Sequence, residues 1–217
     1  MASDSSRKKQ MFKGKHTFVC GMTQSGKTSF VINQLKKSHC PVLFFNPQRV
    51  DLGRDYITTD VHSAVWQHVL RALKRGEKID YLPALSDRVA AAELEYIVNR
   101  LFEAGFTKDK PIIIAIDETH MVSDYKEGKR ALRKVANRGL SFGVHAVFIS
   151  QRPANVEYTI LTQSDQHVIF KTGYEKEYFN RKGLDYEEIK SRIQAKGEHA
   201  YVVWNGYELT GAYREKL

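Results

Sequence analysis

With 217 residues, 42% hydrophobic and 27% charged, the chain is long enough to enclose one sizeable core. It has no run of about 18 apolar residues and no apolar stretch behind its N-terminal positive charges, which excludes a membrane-spanning helix and a secretory leader and leaves a soluble, intracellular protein as the expectation. Thirty-four Lys and Arg against 25 Asp and Glu give a formal charge of +9, which favours a polyanionic partner through counterion release, although the basic residues are spread as on an ordinary solvated surface.

Residues 1–15 (MASDSSRKKQMFKGK) carry too little apolar surface to offset the entropy of ordering them and are expected to form a flexible basic tail. Residues 16–217 are expected to form a single domain, because no Pro/Gly/Ser-rich stretch or charge block breaks the interior. Residues 16–20 (HTFVC) run straight into Gly21 and read as a buried strand. A helix is predicted next, over 28–37, with Phe30, Val31 and Leu35 at helical spacing and two closing lysines that suit a helix C-terminus. A second apolar run, 41–46 (PVLFFN), stops at Pro47 and reads as another buried strand.

Amphipathic helices are predicted over 61–75, with Val65, Val69, Leu70 and Leu73 on one face, and over 90–104, with Leu94, Ile97, Val98, Leu101 and Phe102. The most hydrophobic run, 111–116 (PIIIAI), ends in Asp117-Glu118 and suits a central parallel strand. A basic helix over 126–137 and strands over 145–150 and 167–171 come next. A terminal hairpin, 199–204 and 207–213, flanks Asn205-Gly206, a strong two-residue turn signal. Strands alternating with helices predict an α/β fold of P-loop NTPase (RecA/ASCE-like) type, with a mostly parallel central sheet, helices on both faces and ligands at the carboxyl ends of the strands.

Gly21-Met22-Thr23-Gln24-Ser25-Gly26-Lys27-Thr28 fits G-x-x-x-x-G-K-[ST], with a strand before it and a helix after it. The glycines let the backbone curl so that amides and the helix N-terminus face phosphate oxygens. Gly21, Thr23, Gln24, Ser25, Gly26, Lys27, Thr28 and Ser29 are therefore the expected nucleotide contacts, with Lys27 reaching the β- and γ-phosphates of ATP and the Thr28 hydroxyl on Mg²⁺. An acidic residue ending a neighbouring strand must hold Mg²⁺ from the other side, and Asp117 fits. Glu118 is placed to polarise an attacking water. Gln151 and Arg152 come directly after the strand over 145–150 at the same sheet edge, where a glutamine either senses the γ-phosphate, holds water or is simply a polar loop residue. Cys20 and Cys40 lack metal-ligand spacing, and the eight histidines have no paired spacing, so no intrinsic zinc site is expected.

With those elements the chain resembles the FtsK/HerA superfamily of DNA-translocating ATPases over roughly residues 17–213. The most specific likeness is Arg138-Gly139-Leu140-Ser141-Phe142-Gly143 leading into a strand that ends Ser150-Gln151-Arg152-Pro153. The resemblance implies that Gln151 is the γ-phosphate sensor and that Asp117 and Glu118 are the acidic pair. It also implies a homo-oligomeric ring, pentameric or hexameric, in which Arg138, Arg152 or Arg133 reaches the next subunit's nucleotide. The chain departs from the family's pattern at Leu140, often an arginine, and at Asn46, often an aspartate before the proline.

A bare motor domain of this length looks like the genome-packaging ATPases of double-stranded DNA viruses with internal membranes. That implies backbone contacts to duplex DNA, assigned to Lys126, Lys129 and Arg130, together with a capsid-vertex or internal-membrane partner and a place in the host cytoplasm or at the virion vertex. The rival readings are a HerA-like helicase or translocase in DNA processing, a P-loop small-molecule kinase and a nucleotide-binding assembly factor without turnover. No N-K-x-D segment supports a GTPase.

Overall fold

A strand covered on both faces needs no polar face, so the continuous apolar runs of this chain become the centre of a sheet. The computed structural model describes residues 11–60, 66–173, 176–181 and 183–214. Its strands are β1 (Thr17–Cys20), β2 (Val42–Phe45), β3 (Tyr56–Asp60), β4 (Lys78–Leu82), β5 (Ile112–Ile116), β6 (Val144–Ser150), β7 (Gln166–Phe170), β8 (Ala200–Trp204) and β9 (Leu209–Arg214). They form one sheet in the order β3-β4-β2-β5-β6-β1-β7-β8-β9. The first seven in that order run parallel, and β8 and β9 add antiparallel to the β7 edge.

The helices are α1 (Lys27–Lys36), α2 (Trp66–Lys74), α3 (Asp87–Glu103), α4 (Thr119–Ser123), α5 (Lys126–Arg138), α6 (Tyr158–Gln163), α7 (Lys176–Arg181) and α8 (Tyr186–Lys196). Because successive strand residues point to opposite faces, the core divides in two. Val19, Phe44 and Ile113 pack with α1 residues Phe30, Val31 and Leu35. Phe18, Phe45 and Ile114 pack with Leu73 of α2, Leu94 and Ile97 of α3 and Leu132 of α5. No helix among the described residues is long and apolar enough to cross a membrane.

Several expectations are adjusted. Phe12, within the stretch read as a tail, is 2% exposed and meets Phe30 edge-on at 6.3 Å, so one aromatic ring anchors residues that composition alone marks as solvated. The helix expected from 61 is α2, and its first residues, Val65 included, lie outside the described residues. The C-terminal hairpin is present, but Trp204 pairs with Leu209, so the loop spans residues 205–208. Asn205 Oδ1 accepts from the Tyr207 and Glu208 amides, 3.1 and 2.9 Å, and this Asx-type bonding favours the longer turn over a two-residue one. Strands β3 and β4 and helices α4, α6, α7 and α8 are additions to the elements expected from the sequence.

The register sets the site. Cys20 lies beside Ser150, and Phe45 beside Ile116, which in turn lies beside Phe148. Gly21, Asn46, Asp117 and Gln151 therefore leave their strands at one carboxyl edge.

Candidate functional site

Between β1 and α1 the chain folds around a single carbonyl. The Met22 oxygen accepts from the Ser25 amide at 3.2 Å and from Lys27 Nζ at 2.8 Å, while the Met22 amide donates to the Lys171 carbonyl at 2.7 Å. Two glycines are required here. Gly21 has φ +156°, and a Cβ on it would lie 2.6 Å from Phe170 Cβ; Gly26, at φ +97°, caps α1 and would place a Cβ 3.2 Å from His199 Nδ1. The first turn of α1 has no preceding carbonyls for its amides and contains no acidic side chain, so it presents a partial positive charge to this loop.

Lys27 is 7% exposed; burial lowers its pKa, and Glu118 and then Asp117 act to raise it. The ammonium is thus held at a cost that neighbouring carboxylates partly offset, the state expected of a lysine awaiting an anion. Asp117 is 3% exposed, and its carboxyl is pushed up from 3.8 to about 7, first by burial and then by the Glu118 charge; the Glu118 amide, Lys27 and His120 oppose the shift. Glu118 N donates to Asp117 Oδ1 at 3.0 Å.

Asp117 sets a pH dependence. Between about pH 4 and about pH 7 the folded chain keeps a proton that the unfolded chain has released, so this group's contribution to stability falls as pH rises through that window and is not regained above it. Asp117→Asn is uncharged throughout. It is expected to raise the melting temperature of the ligand-free protein clearly at pH 8 and only slightly at pH 4, as read by thermal denaturation; an equal gain at both pH values would contradict the assignment.

A carboxylate this costly to bury suits a hard cation. Asp117 and the half-buried Thr28 could hold one, and among the described residues there is no group of three or more His, Cys, Asp or Glu to form a self-sufficient site. Such a cation would take its other ligands from phosphate oxygens and water.

Glu118 is left-handed (φ 46°, ψ 47°) as the N-cap of α4. His120 Nδ1 lies 3.2 Å from Glu118 Oε2 and 3.2 Å from Ser150 Oγ. The Thr23 hydroxyl donates to Gln151 Oε1, which joins the loop to the end of β6. Ser150 Oγ also accepts from the Arg152 amide at 3.0 Å.

On the other side of the loop, towards β7 and β8, is a cavity of about 650 Å³. Thr23, Gln24, Ser25, Tyr186, Ile193 and His199 are among its walls. Ser25 Oγ and His199 Nδ1 are buried beside it with no hydrogen-bond partner among the described residues.

The fold thus brings together Gly21, Thr23, Gln24, Ser25, Gly26, Lys27, Thr28, Asp117, Glu118, Gln151 and the exposed Arg152, with Ser29 exposed in the first turn of α1. Arg138 is not among them: it lies at the amino edge of the sheet, where α5 leads through a 3₁₀ turn into β6, and its guanidinium sits 5.1 Å from the Phe142 ring centre. Arg133 pairs with Glu157 at 3.0 Å and Arg130 with Glu95 at 2.7 Å, while Lys126 and Lys129 are exposed on α5.

Sequence reasoning does not single out His120, His199 or a role for Asn46. Asn46 is fully buried; its Nδ2 donates to Asp80 Oδ1 and to the Val50 carbonyl, each at 2.9 Å, and its Oδ1 accepts from the Val50 amide at 3.0 Å. It therefore braces the β2–β4 edge. The sequence signal for His120 is its place two residues after Glu118; Asn46 and His199 give none, because Asp80 and Gly26, which they meet across the fold, are distant in the chain.

No family model matches the chain. Its fold is similar to the genome packaging NTPase of Sulfolobus turreted icosahedral virus 2 in complex with AMP, with a TM-score of 0.64 and 15% identity over 93% of this chain and 98% of that one. It is also similar to the DNA-packaging ATPase of Sulfolobus turreted icosahedral virus, with a TM-score of 0.65 and 14% identity over 95% and 100%. EssC (ATPases 2 and 3) of Geobacillus thermodenitrificans gives a TM-score of 0.55 and 14% identity over 94% of this chain and 40% of that one.

Among curated proteins, the probable DNA double-strand break repair helicase HerA of Methanocaldococcus jannaschii is 29% identical over 107 residues, 44% of this chain. The chain spans about a fifth (20%) of that protein's length. The chain has the P-loop ATPase fold, and the resemblance to the FtsK/HerA superfamily is supported by structure and sequence alike.

Proposed function

We propose that the chain is an ATP-driven translocase of double-stranded DNA that packages a viral genome into a preformed capsid. The observation that carries the ATPase part is the single sheet edge where the buried Lys27, the buried Asp117, Glu118 and Gln151 converge on the glycine loop. Phosphates of ATP would lie on the loop amides and Lys27, and Glu118 would polarise the attacking water. Thr28 and Asp117 would hold Mg²⁺, which when bound supplies charge neutralisation between the phosphate oxygens. Gln151 would exchange its Thr23 partner for the γ-phosphate.

The sheet order supports one orientation of the nucleotide. Asp117, Glu118 and Gln151 lie on the β5–β6 side of the loop, so the nucleoside would leave towards β7 and β8, where the cavity is. Its volume falls within the range for small-molecule sites. Gln194→Trp, at an exposed position on the cavity wall, is expected to weaken ATP binding about tenfold without lowering the melting temperature of the free protein, as read by competition with a fluorescent nucleotide. Unchanged affinity would place the nucleoside elsewhere.

The DNA part rests on the positive charge, the exposed Lys126 and Lys129 on α5, and the likeness to packaging ATPases. Residues 16–217 would act as one motor domain in a pentameric or hexameric ring, gripping the phosphate backbone without reading sequence. Arg138, outside its own chain's site, would serve the next subunit's nucleotide; Arg152 or Arg133 is the alternative. A capsid-vertex or internal-membrane protein would receive the ring, in the host cytoplasm or at the virion vertex.

The test is displacement of a triplex-forming strand from a long duplex. ATP-dependent displacement that is lost in Glu118→Gln would support translocation; ATP turnover without displacement would remove it. The HerA match favours one second reading, a helicase or translocase in DNA processing, which would separate strands without a capsid. Adjacent Asp117 and Glu118 speak against a small-molecule kinase, which needs no water-activating carboxylate.

A further inference from the structure

We infer that His120 is a positioning residue for Glu118 and ties that carboxylate to the β6 end carrying Gln151; the inference rests on the ATPase reading above. His120 is fixed from behind. The helix that carries it, α4, has only five residues, but Thr119 Oγ1 donates to the Ile116 carbonyl and Ser123 Oγ to the Thr119 carbonyl, both at 2.9 Å, and both side chains are buried. The imidazole is thereby delivered to the cleft between the ends of β5 and β6.

There one nitrogen faces two oxygens. His120 Nδ1 is 3.2 Å from Glu118 Oε2 and 3.2 Å from Ser150 Oγ. With a proton on Nδ1 the ring donates to the carboxylate; in the other neutral tautomer Nδ1 accepts the Ser150 hydroxyl proton and turns a lone pair towards Glu118. It cannot do both. Glu118 Oε2 is buried and has no aligned hydrogen bond among the described residues, so the His120 contact is one of distance, ready to tighten or to part. Glu118 is also left-handed, a backbone state a glutamate rarely adopts unless its surroundings hold it there.

The far end of the bridge reaches the nucleotide loop. Ser150 Oγ holds the Arg152 amide at 3.0 Å, so the bonds of Ser150 bracket Gln151, and Gln151 in turn takes the Thr23 hydroxyl. When Gln151 leaves Thr23 for a γ-phosphate, the segment bracketed by Ser150 shifts and Nδ1 exchanges one oxygen for the other, as water takes the Nε2 proton and returns one to Nδ1. Glu118 is then aimed only when the loop is filled.

Single-turnover and steady-state ATP hydrolysis test this in His120→Phe, which keeps a ring but removes the nitrogen. The expected result is ATP affinity within about twofold of wild type and kcat lowered about tenfold or more, with Glu118→Gln/His120→Phe no slower than Glu118→Gln alone. His120→Asn, which restores an N–H, should recover part of kcat. Losses that add in the double variant, or a loss of affinity and melting temperature in step with kcat in both variants, would overturn the inference. So would wild-type kcat in His120→Phe while Glu118→Gln is slow. An indifferent Glu118→Gln would reject Glu118 as the water-activating group and the inference with it, whereas a wild type that does not hydrolyse ATP would remove the ATPase reading beneath both.

Discussion

Glu118→Gln is expected to bind ATP as the wild type does and to hydrolyse it about 10²- to 10⁴-fold more slowly, the usual contribution of a positioned general base. The amide keeps the size of the side chain and the left-handed N-cap of α4, and it cannot accept a proton from water. It also removes the charge that opposes ionisation of Asp117, so the Asp117 pKa should fall back from about 7 and cation-dependent nucleotide binding should hold or tighten. Equilibrium binding of a fluorescent ATP analogue and phosphate release separate the two effects. A variant with normal turnover would reject Glu118 as the water-activating group.

Lys27→Ala is expected to weaken ATP binding about 100-fold or more, since a buried ammonium on the phosphates makes charge-assisted bonds that nothing else in the loop replaces. The fold should survive. In the free protein Lys27 is only 7% exposed and bonds a single carbonyl, Met22 O, so its loss relieves a buried charge as well as breaking a contact. Nucleotide-induced stabilisation is the readout: ATP should raise the wild-type melting temperature and leave that of Lys27→Ala unchanged. A melting temperature that still rises normally with ATP would move the nucleotide away from this loop.

The central sheet is legible in the sequence because its physics is local. Residues 112–116 have no polar face and 144–150 scarcely one, so each could only be a buried strand, and the glycine-loop pattern requires a strand before it and a helix after it, which β1 and α1 supply. Strands β3 and β4 are not legible, since Lys78 and Asp80 in β4 and Thr58 and Thr59 in β3 read as loop until their pairing is known. Asp80 tolerates burial only through the Asn46 and Thr58 bonds, from residues 34 and 22 positions away.

The site divides in the same way. The loop, Asp117 and Glu118 are contiguous motifs, whereas His120–Ser150 and Gly26–His199 are contacts made by tertiary packing. Composition misjudges Phe12 because a single buried ring among charges leaves no periodicity.

The most direct test of the account is ATP hydrolysis by the purified chain with long double-stranded DNA, with single-stranded DNA and with neither, across a salt series. The account predicts turnover stimulated by duplex, with stimulation declining as salt rises because phosphate gripping weakens. Turnover that ignores duplex at every salt concentration would contradict the DNA-motor claim.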